Sequence, residues 1–396
     1  MVNFSELGLK KNIVDVINSL GFKETLEVQE KIIPLIVQKK NVAFTSRTGS
    51  GKTLAFSVPY LTKINKKLPA QMMVVLPTRE LCIQVGKVLS DLCQSLGFNV
   101  GVIYGGRDIA GDYKTVAKKN HIIVGTPGRL IKHINEKALK VGEVKYIVFD
   151  ECDQMFSEGF EKDCIYIRKR ISKDAQIILA SATMTPKVRE FVVNQIPNVE
   201  LLSVGSVIPE NIVKQKVYCD KNDKNDIVLK ILKDRKPKRT IIFCNTKMKS
   251  YNIAKYLITQ GYKSKALNGD FDQNERIQHF NMFKSGRINI LVTTDVAARG
   301  LHVNNLDVVI NYDVSKRPEF YVHRIGRTGR TDKKGYALNL ICPEDEERIL
   351  KIEHIFNLNI EEVKFDTSAI VKIPYNEEQR RQEERKNQKA KELKEK

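Results

Sequence analysis

The sequence predicts two tandem α/β domains, each a doubly wound parallel sheet, joined by a flexible linker. Three observations carry this. The chain has 396 residues, more than one ordinary α/β domain uses. Short β-branched runs alternate with longer helical patterns, the rhythm of βαβ units. That rhythm stops near residues 203–211, where Gly205 and Pro209 punctuate a stretch without period, and then restarts.

In the first half the strands are expected at residues 41–45, 72–76, 121–124, 146–149 and 177–179. In the second they are expected at 213–218, 240–243, 263–267, 288–292, 308–310 and 336–340, with helical patterns such as 248–260 between them. The domains are placed at 1–204 and 213–366, with a linker at 205–212. Residues 367–396 form a charged tail; from Asn376 it has almost no apolar side chains, so burial cannot offset its ordering entropy, and both a solvated helix and a disordered segment fit it.

An apolar share of 42% supports sizeable cores. The 67 Lys and Arg residues outnumber 47 Asp and Glu, and a formal charge of +20 draws in polyanions, either nucleic acid or an acidic membrane surface. No run approaches the about 18 apolar residues of a membrane span. The first 11 residues lack the order of a signal peptide, so an intracellular place is expected, nucleus or cytoplasm. The seven cysteines form no C-x-x-C pair, which suggests neither a disulfide framework nor a zinc site.

Ser46-Arg47-Thr48-Gly49-Ser50-Gly51-Lys52-Thr53 stands between an expected strand and an expected helix. Glycines there let backbone N–H groups wrap a phosphate at a helix N-terminus. Lys52 then neutralises the β- and γ-phosphates and Thr53 ligates Mg²⁺; the first position is Ser46 in place of the usual glycine. Asp150-Glu151-Cys152-Asp153 follows the apolar run 146–149, at the strand end where α/β sheets place ligands. Asp150 suits Mg²⁺, and Glu151 suits orienting or deprotonating a water. With the glycine loop these acids make the parts of a phosphoryl-transfer site. In His323-Arg324-Ile325-Gly326-Arg327-Thr328-Gly329-Arg330, the side chains of Arg327 and Arg330 read either as arginine fingers or as a phosphate-binding patch.

These motifs, in this order, resemble the DEAD-box family of superfamily 2 RNA helicases from Phe4 to about residue 350, with DECD at residues 150–153 as a variant of the acidic motif. The resemblance implies RecA-like domains, ATP and Mg²⁺ as cofactors, and RNA as the partner. Gly21-Phe22 and Gln29, with the upstream Phe4, look like the family's adenine-reading motif, although its usual two prolines are replaced by Thr25 and Leu26. Arg79 in PTREL, Gly106 in the glycine pair, and Thr126, Gly128 and Arg129 in TPGR resemble RNA-backbone contacts. Ser181 and Thr183 resemble the motif coupling ATP state to strand separation, with Asp153 and His323 as partners; a Ser/Thr pair satisfying strand-end backbone groups reads equally from these residues.

In the second half, Phe243 to Thr246, Gln273 with Arg276, and residues 293–300 look like the remaining motifs. Thr293 and Arg299 would touch RNA, and Asp295 would lie near the nucleotide. His302 stands where the family usually has aspartate. The expected activity is RNA-dependent ATP hydrolysis that unwinds short duplexes or remodels RNA–protein complexes, in ribosome biogenesis or mRNA processing and export; a slow ATP-gated RNA clamp is the competing expectation. The chain would act as a monomer away from membranes, with protein adaptors supplying sequence specificity.

Overall fold

The computed structural model describes residues 2–47, 49–106, 109–206, 208–298, 306–329 and 334–368. The first sheet contains β1 (Asn41–Thr45), β2 (Met72–Val75), β3 (Val100–Ile103), β4 (Ile122–Gly125), β5 (Tyr146–Phe149), β6 (Gln176–Ser181) and β7 (Val199–Ser203), in the order β3-β4-β2-β5-β6-β1-β7. The second contains β8 (Ile212–Tyr218), β9 (Thr240–Phe243), β10 (Ser264–Leu267), β11 (Ile290–Thr293), β12 (Val308–Asn311), β13 (Gly335–Ile341) and β14 (Glu361–Glu362). Its order is β10-β11-β9-β12-β13-β8-β14. Counted from β8, this is the same permutation, so both halves are wound alike.

The parallel pairing is set by strands apolar on both faces. In β1, Val42 and Phe44 enter one core layer and Ala43 the other. In β5, Tyr146 and Val148 enter the first layer and Ile147 and Phe149 the second. Such strands read as continuous apolar runs because helices cover both sides. β1 lies between β6 and β7, with Val42 opposite both Ile178 and Glu200.

The sequence expectations missed β3, β7 and β14. β7 lies at a sheet edge with Leu201 exposed, and β14 consists of two exposed glutamates. Edge strands are not buried on both faces, so the doubly apolar signal is absent. The described residues separate into two compact units, one around each sheet, and the helix Pro318–Ile325 groups with the first unit.

At Gly125, the last residue of β4, a Cβ would stand 2.7 Å from Ile103 O and 2.8 Å from Leu130 Cδ2. Because a backbone oxygen is one of the obstacles, Gly125→Ala is expected to lower stability by about 1–3 kcal/mol in denaturant unfolding. An unchanged midpoint would show that β3 and β4 separate at no cost.

Candidate active site

β5, β6 and β1 are consecutive and parallel, so their C-terminal ends open on one edge of the sheet, where such sheets bind ligands. The loop after β1 is tied to the end of β6, with Ser46 N donating to Ser181 O at 3.0 Å. The acidic loop leaves β5 directly, and Asp150 N donates to Val75 O at 3.0 Å.

Two glycines shape the phosphate loop. Gly49 and Gly51 have φ of 84° and 88°, and Gly51 is the residue before the helix Lys52–Leu61. A Cβ on Gly51 would also meet Gln29 Nε2 at 2.6 Å, so glycine is required there for conformation and for space. The first N–H groups of that helix have no intrahelical acceptor and form the donor end of an anion site. Beside them an open cavity of about 690 Å³ is lined by Ser46, Arg47, Gly49 and Ser50, with Leu26 and Glu27 across it.

Lys52 is buried, and its Nζ lies 3.0 Å from Glu151 Oε1 and 3.3 Å from Ser46 O. Burial works against its charge, but Glu151 and Asp150 outweigh that and hold the ammonium above its usual pKa. Glu151 sits in the left-handed region at φ 53°, a strained backbone that aims its side chain at Lys52. Asp150 is pushed up to about 7 by burial and by Glu151, with Lys52 opposing. Asp150, Glu151 and Asp153 thus share one ammonium in a region closed to water. An oxygen-only set of the Asp150 carboxylate and the half-buried Thr53 hydroxyl fits Mg²⁺, which would supply the missing positive charge.

Asp153, Ser181, Thr183 and His323 are brought together. Asp153 Oδ2 accepts from Thr183 N at 2.9 Å and from Thr183 Oγ1 at 2.7 Å. Ser181 Oγ accepts from Asp153 N at 3.0 Å and donates to Thr183 O at 2.9 Å. The hydroxyls therefore satisfy strand-end backbone groups and also hold the carboxylate. His323 Nε2 lies 3.4 Å from Asp153 Oδ2. Burial opposes the charged form of each, but the pair prevails, so Asp153 is held below the usual carboxylate range and His323 above the usual histidine value. Arg327 is half-buried two residues past the helix Pro318–Ile325, and its charge acts on His323. Thr48, Arg299, His302 and Arg330 lie outside the described residues.

Gln29 does something the motif did not reveal. It is 2% exposed; its Oε1 accepts from Leu26 N at 2.9 Å and its Nε2 donates to Gly51 O at 3.3 Å, so it braces the phosphate loop. One N–H and one lone pair remain for an adenine. Where prolines were missing, Thr25 Oγ1 lies 2.7 Å from Glu30 Oε1, which also accepts from Val2 N at 3.1 Å. Phe22 is exposed, but Phe4 is 1% exposed within the core. Its place as an open ATP-facing aromatic is corrected to that of a packing residue.

The loops after β2, β3 and β4 hold the residues expected to meet RNA. Arg79 starts a helix capped by Thr78, and its guanidinium lies 5.2 Å from the Tyr104 ring centre. Gly106 has φ of 80° and open space around it, and Gly128 is exposed at the start of the helix Pro127–Asn135. Thr126 Oγ1 accepts from Gly105 N at 3.4 Å. Arg129 turns inward, with Nη1 2.9 Å from the buried Asp112 Oδ2. In the second unit Thr293 is wholly buried at the end of β11, its hydroxyl donating to Thr294 O at 3.1 Å, so its side chain faces the protein. Asp295 begins the short helix Asp295–Ala298.

Comparison with known proteins gives a consistent picture. The DEAD/DEAH box helicase model matches residues 26–191, and the helicase conserved C-terminal domain matches 223–332. The DEAD-box ATP-dependent RNA helicase CshA of Geobacillus kaustophilus is 39% identical over 368 residues, 92% of this chain and 79% of that protein. Its Bacillus subtilis counterpart is 36% identical over 369 residues, 92% of this chain and 75% of that one. Among solved structures, S. cerevisiae Dbp5 bound to RNA and ADP BeF3 superposes with a TM-score of 0.80 at 29% identity, covering 91% of this chain and 95% of that one. A DEAD box protein from Methanococcus jannaschii gives 0.56 at 36% identity, covering 92% and 99%. The CshA relatives are bacterial, from cells without a nucleus. The expected choice between nucleus and cytoplasm is corrected on that ground to the cytoplasm, and a part in export from a nucleus is withdrawn with it.

The raised pKa of Asp150 has a sign that can be checked. A carboxyl held near 7 when folded keeps its proton where the unfolded chain has lost it, so it costs stability as pH rises from about 4 to 7. Asp150→Asn is expected to raise the unfolding temperature of the nucleotide-free protein at pH 8, with the gain shrinking at pH 5. A gain larger at pH 5 would overturn this assignment.

Proposed function

Since the chain belongs to the DEAD/DEAH box helicase family and is an ATP-dependent RNA helicase, we propose that it holds RNA through the backbone and couples ATP hydrolysis to opening short duplexes or displacing bound protein. The observation that carries the proposal is the buried Lys52–Glu151 pair at the mouth of the glycine loop. When β- and γ-phosphates arrive, they compete for Lys52. Its transfer to the phosphates releases Glu151, and a carboxylate freed at that place takes the proton of the attacking water.

Mg²⁺, held by Thr53 and Asp150, would neutralise charge on the phosphates. Arg327 and Arg330 act as the cations that meet charge on the leaving phosphoryl group. Gln29 selects adenine while bracing Gly51, and Ser46 to Thr53 cradle the phosphates. The Asp153–Thr183–Ser181 network, with His323 beside it, passes the state of the acidic loop to the end of β6.

Asp150 to Asp153 read as a DECD variant of the acidic motif. Cys152 is fully buried and its thiol is held well above its usual pKa, so it serves as a small apolar residue with no acid–base part. RNA contact is assigned to Arg79, Gly106, Thr126 and Gly128, whose donors suit phosphate rather than base edges. Arg129 supports that loop through Asp112. Specificity for a cellular RNA is assigned to protein adaptors, and ribosome assembly and mRNA processing are the roles consistent with backbone-only contact.

Glu151→Gln is expected to lower RNA-stimulated ATP turnover at least about 100-fold while leaving RNA bound in the ATP state. Unchanged turnover would remove Glu151 as base. A wild-type rate that RNA does not raise would favour the slow clamp over the unwinding enzyme.

A further inference from the structure

The N-terminal ends of the same three strands carry a second feature that the ATP site does not use. Asn41 begins β1, Tyr146 begins β5 and Gln176 begins β6, and a cavity of about 410 Å³ opens beneath them. Strands of this length put it roughly 15 Å from the glycine loop. The volume falls in the range of small-ligand sites.

Its rim carries Lys39, Lys63, Lys145 and Lys173 against a single carboxylate, Asp174. Among the described residues none of the four ammonium groups is in an ion pair. Lys63 is held below its usual pKa by partial burial and by the charge of Lys39, so the like charges already feel one another. Such an arrangement is relieved by an anion.

The wall is fixed and offers a donor. Tyr60 lines the cavity at 5% exposure, stacked on Tyr146 with ring centres 4.5 Å apart, and its hydroxyl has no hydrogen-bond partner among the described residues. Burial pushes that phenol up to about 12, so it stays a neutral donor. Gln176 is pinned by its Nε2 donating to Lys40 O at 2.7 Å, and Asn41 by its Nδ2 donating to Pro197 O at 2.7 Å. Four unpaired cations around a walled cavity with a free hydroxyl differ from lysines scattered by a basic composition.

We propose that this lysine-rimmed cavity is a second RNA-backbone site, taking a phosphodiester of the strand that extends beyond the stretch held at the ATP end of the sheet. The choice of RNA rests on the helicase assignment; the geometry by itself asks for a phosphate. Single-stranded RNA is bound this way by grooves of positive charge that follow the backbone. The cavity would hold a longer substrate while the other edge of the sheet works on a short segment of it.

The test compares RNA affinity at several salt concentrations, using fluorescence anisotropy of a labelled single strand of roughly 30 nucleotides, long enough to leave the core site. The cavity variant is Lys63→Glu with Lys145→Glu and Lys173→Glu. A control with the same change of net charge is Lys87→Glu with Lys118→Glu and Lys162→Glu. The cavity variant is expected to bind about tenfold more weakly than the control, with a salt slope smaller by about 2 for three lost phosphate contacts. Tyr60→Phe, which leaves the charge alone, is expected to weaken binding a few-fold. ATP turnover stimulated by a strand of roughly 8 nucleotides should be the same in every variant.

Equal affinity in the cavity and control variants would overturn the proposal. So would a cavity variant that loses binding of inorganic phosphate or pyrophosphate but keeps RNA affinity, because the site would then take a free anion. A wild-type enzyme that the short strand fails to stimulate would instead contradict the helicase assignment on which the choice of RNA rests.

Discussion

One ammonium group, Lys52, stands among three buried carboxylates, and the chemistry of the first sheet depends on that imbalance. A buried pair alone is a poor source of stability, because desolvation offsets much of the attraction. Its meaning here is electrostatic poise. Asp150 is pushed up to about 7 because one lysine does not satisfy the cluster, so a divalent cation and a polyphosphate complete it together. The strand order β5-β6-β1 makes this possible by placing the acidic loop, the Ser181 strand end and the glycine loop side by side. Gly51 and Gln29 then hold the loop at its working distance.

The second sheet is an internal control. It has the same strand order, and the helix after its first strand, β8, likewise begins with a buried lysine, Lys224. There the lysine is satisfied by the protein: Nζ donates to Tyr312 O at 2.6 Å and lies 3.7 Å from Asp313 and 3.6 Å from Asp345. Residues 219–223 before it contain no glycine, so no phosphate cradle forms. Equal topology with different loops gives one sheet a nucleotide site and leaves the other sheet's lysine tied to its own chain, which is how function is grafted onto a shared fold.

Much of this was legible in the sequence because it is written in local patterns. Strands apolar on both faces, such as β1 and β5, announce themselves, and so does a glycine loop opening a helix. The edge strands β3 and β7 did not, since half their surface faces solvent. Contacts between distant residues were legible only in part. The meeting of Asp153 with Thr183 follows from adjacent strand ends, whereas the inward turn of Arg129 depends on Asp112, 17 residues away on another helix. Phe4 could not be separated by pattern from an exposed aromatic, because a lone ring before a helix packs inward or outward according to the core it meets. The double duty of Gln29 was likewise hidden, because it needs Gly51 to lie within 3.3 Å.

The central claim is that Lys52 is shared between Glu151 and the phosphates, so that binding nucleotide breaks the internal pair. The most direct measurement is a double-mutant cycle on Mg²⁺·ATP affinity by calorimetry. Glu151→Gln removes the competitor and should tighten ATP binding, and in a Lys52→Met background the same change should give no gain, a coupling of about 0.5–3 kcal/mol. Weaker binding in Glu151→Gln, or an equal gain with and without Lys52, would contradict the account.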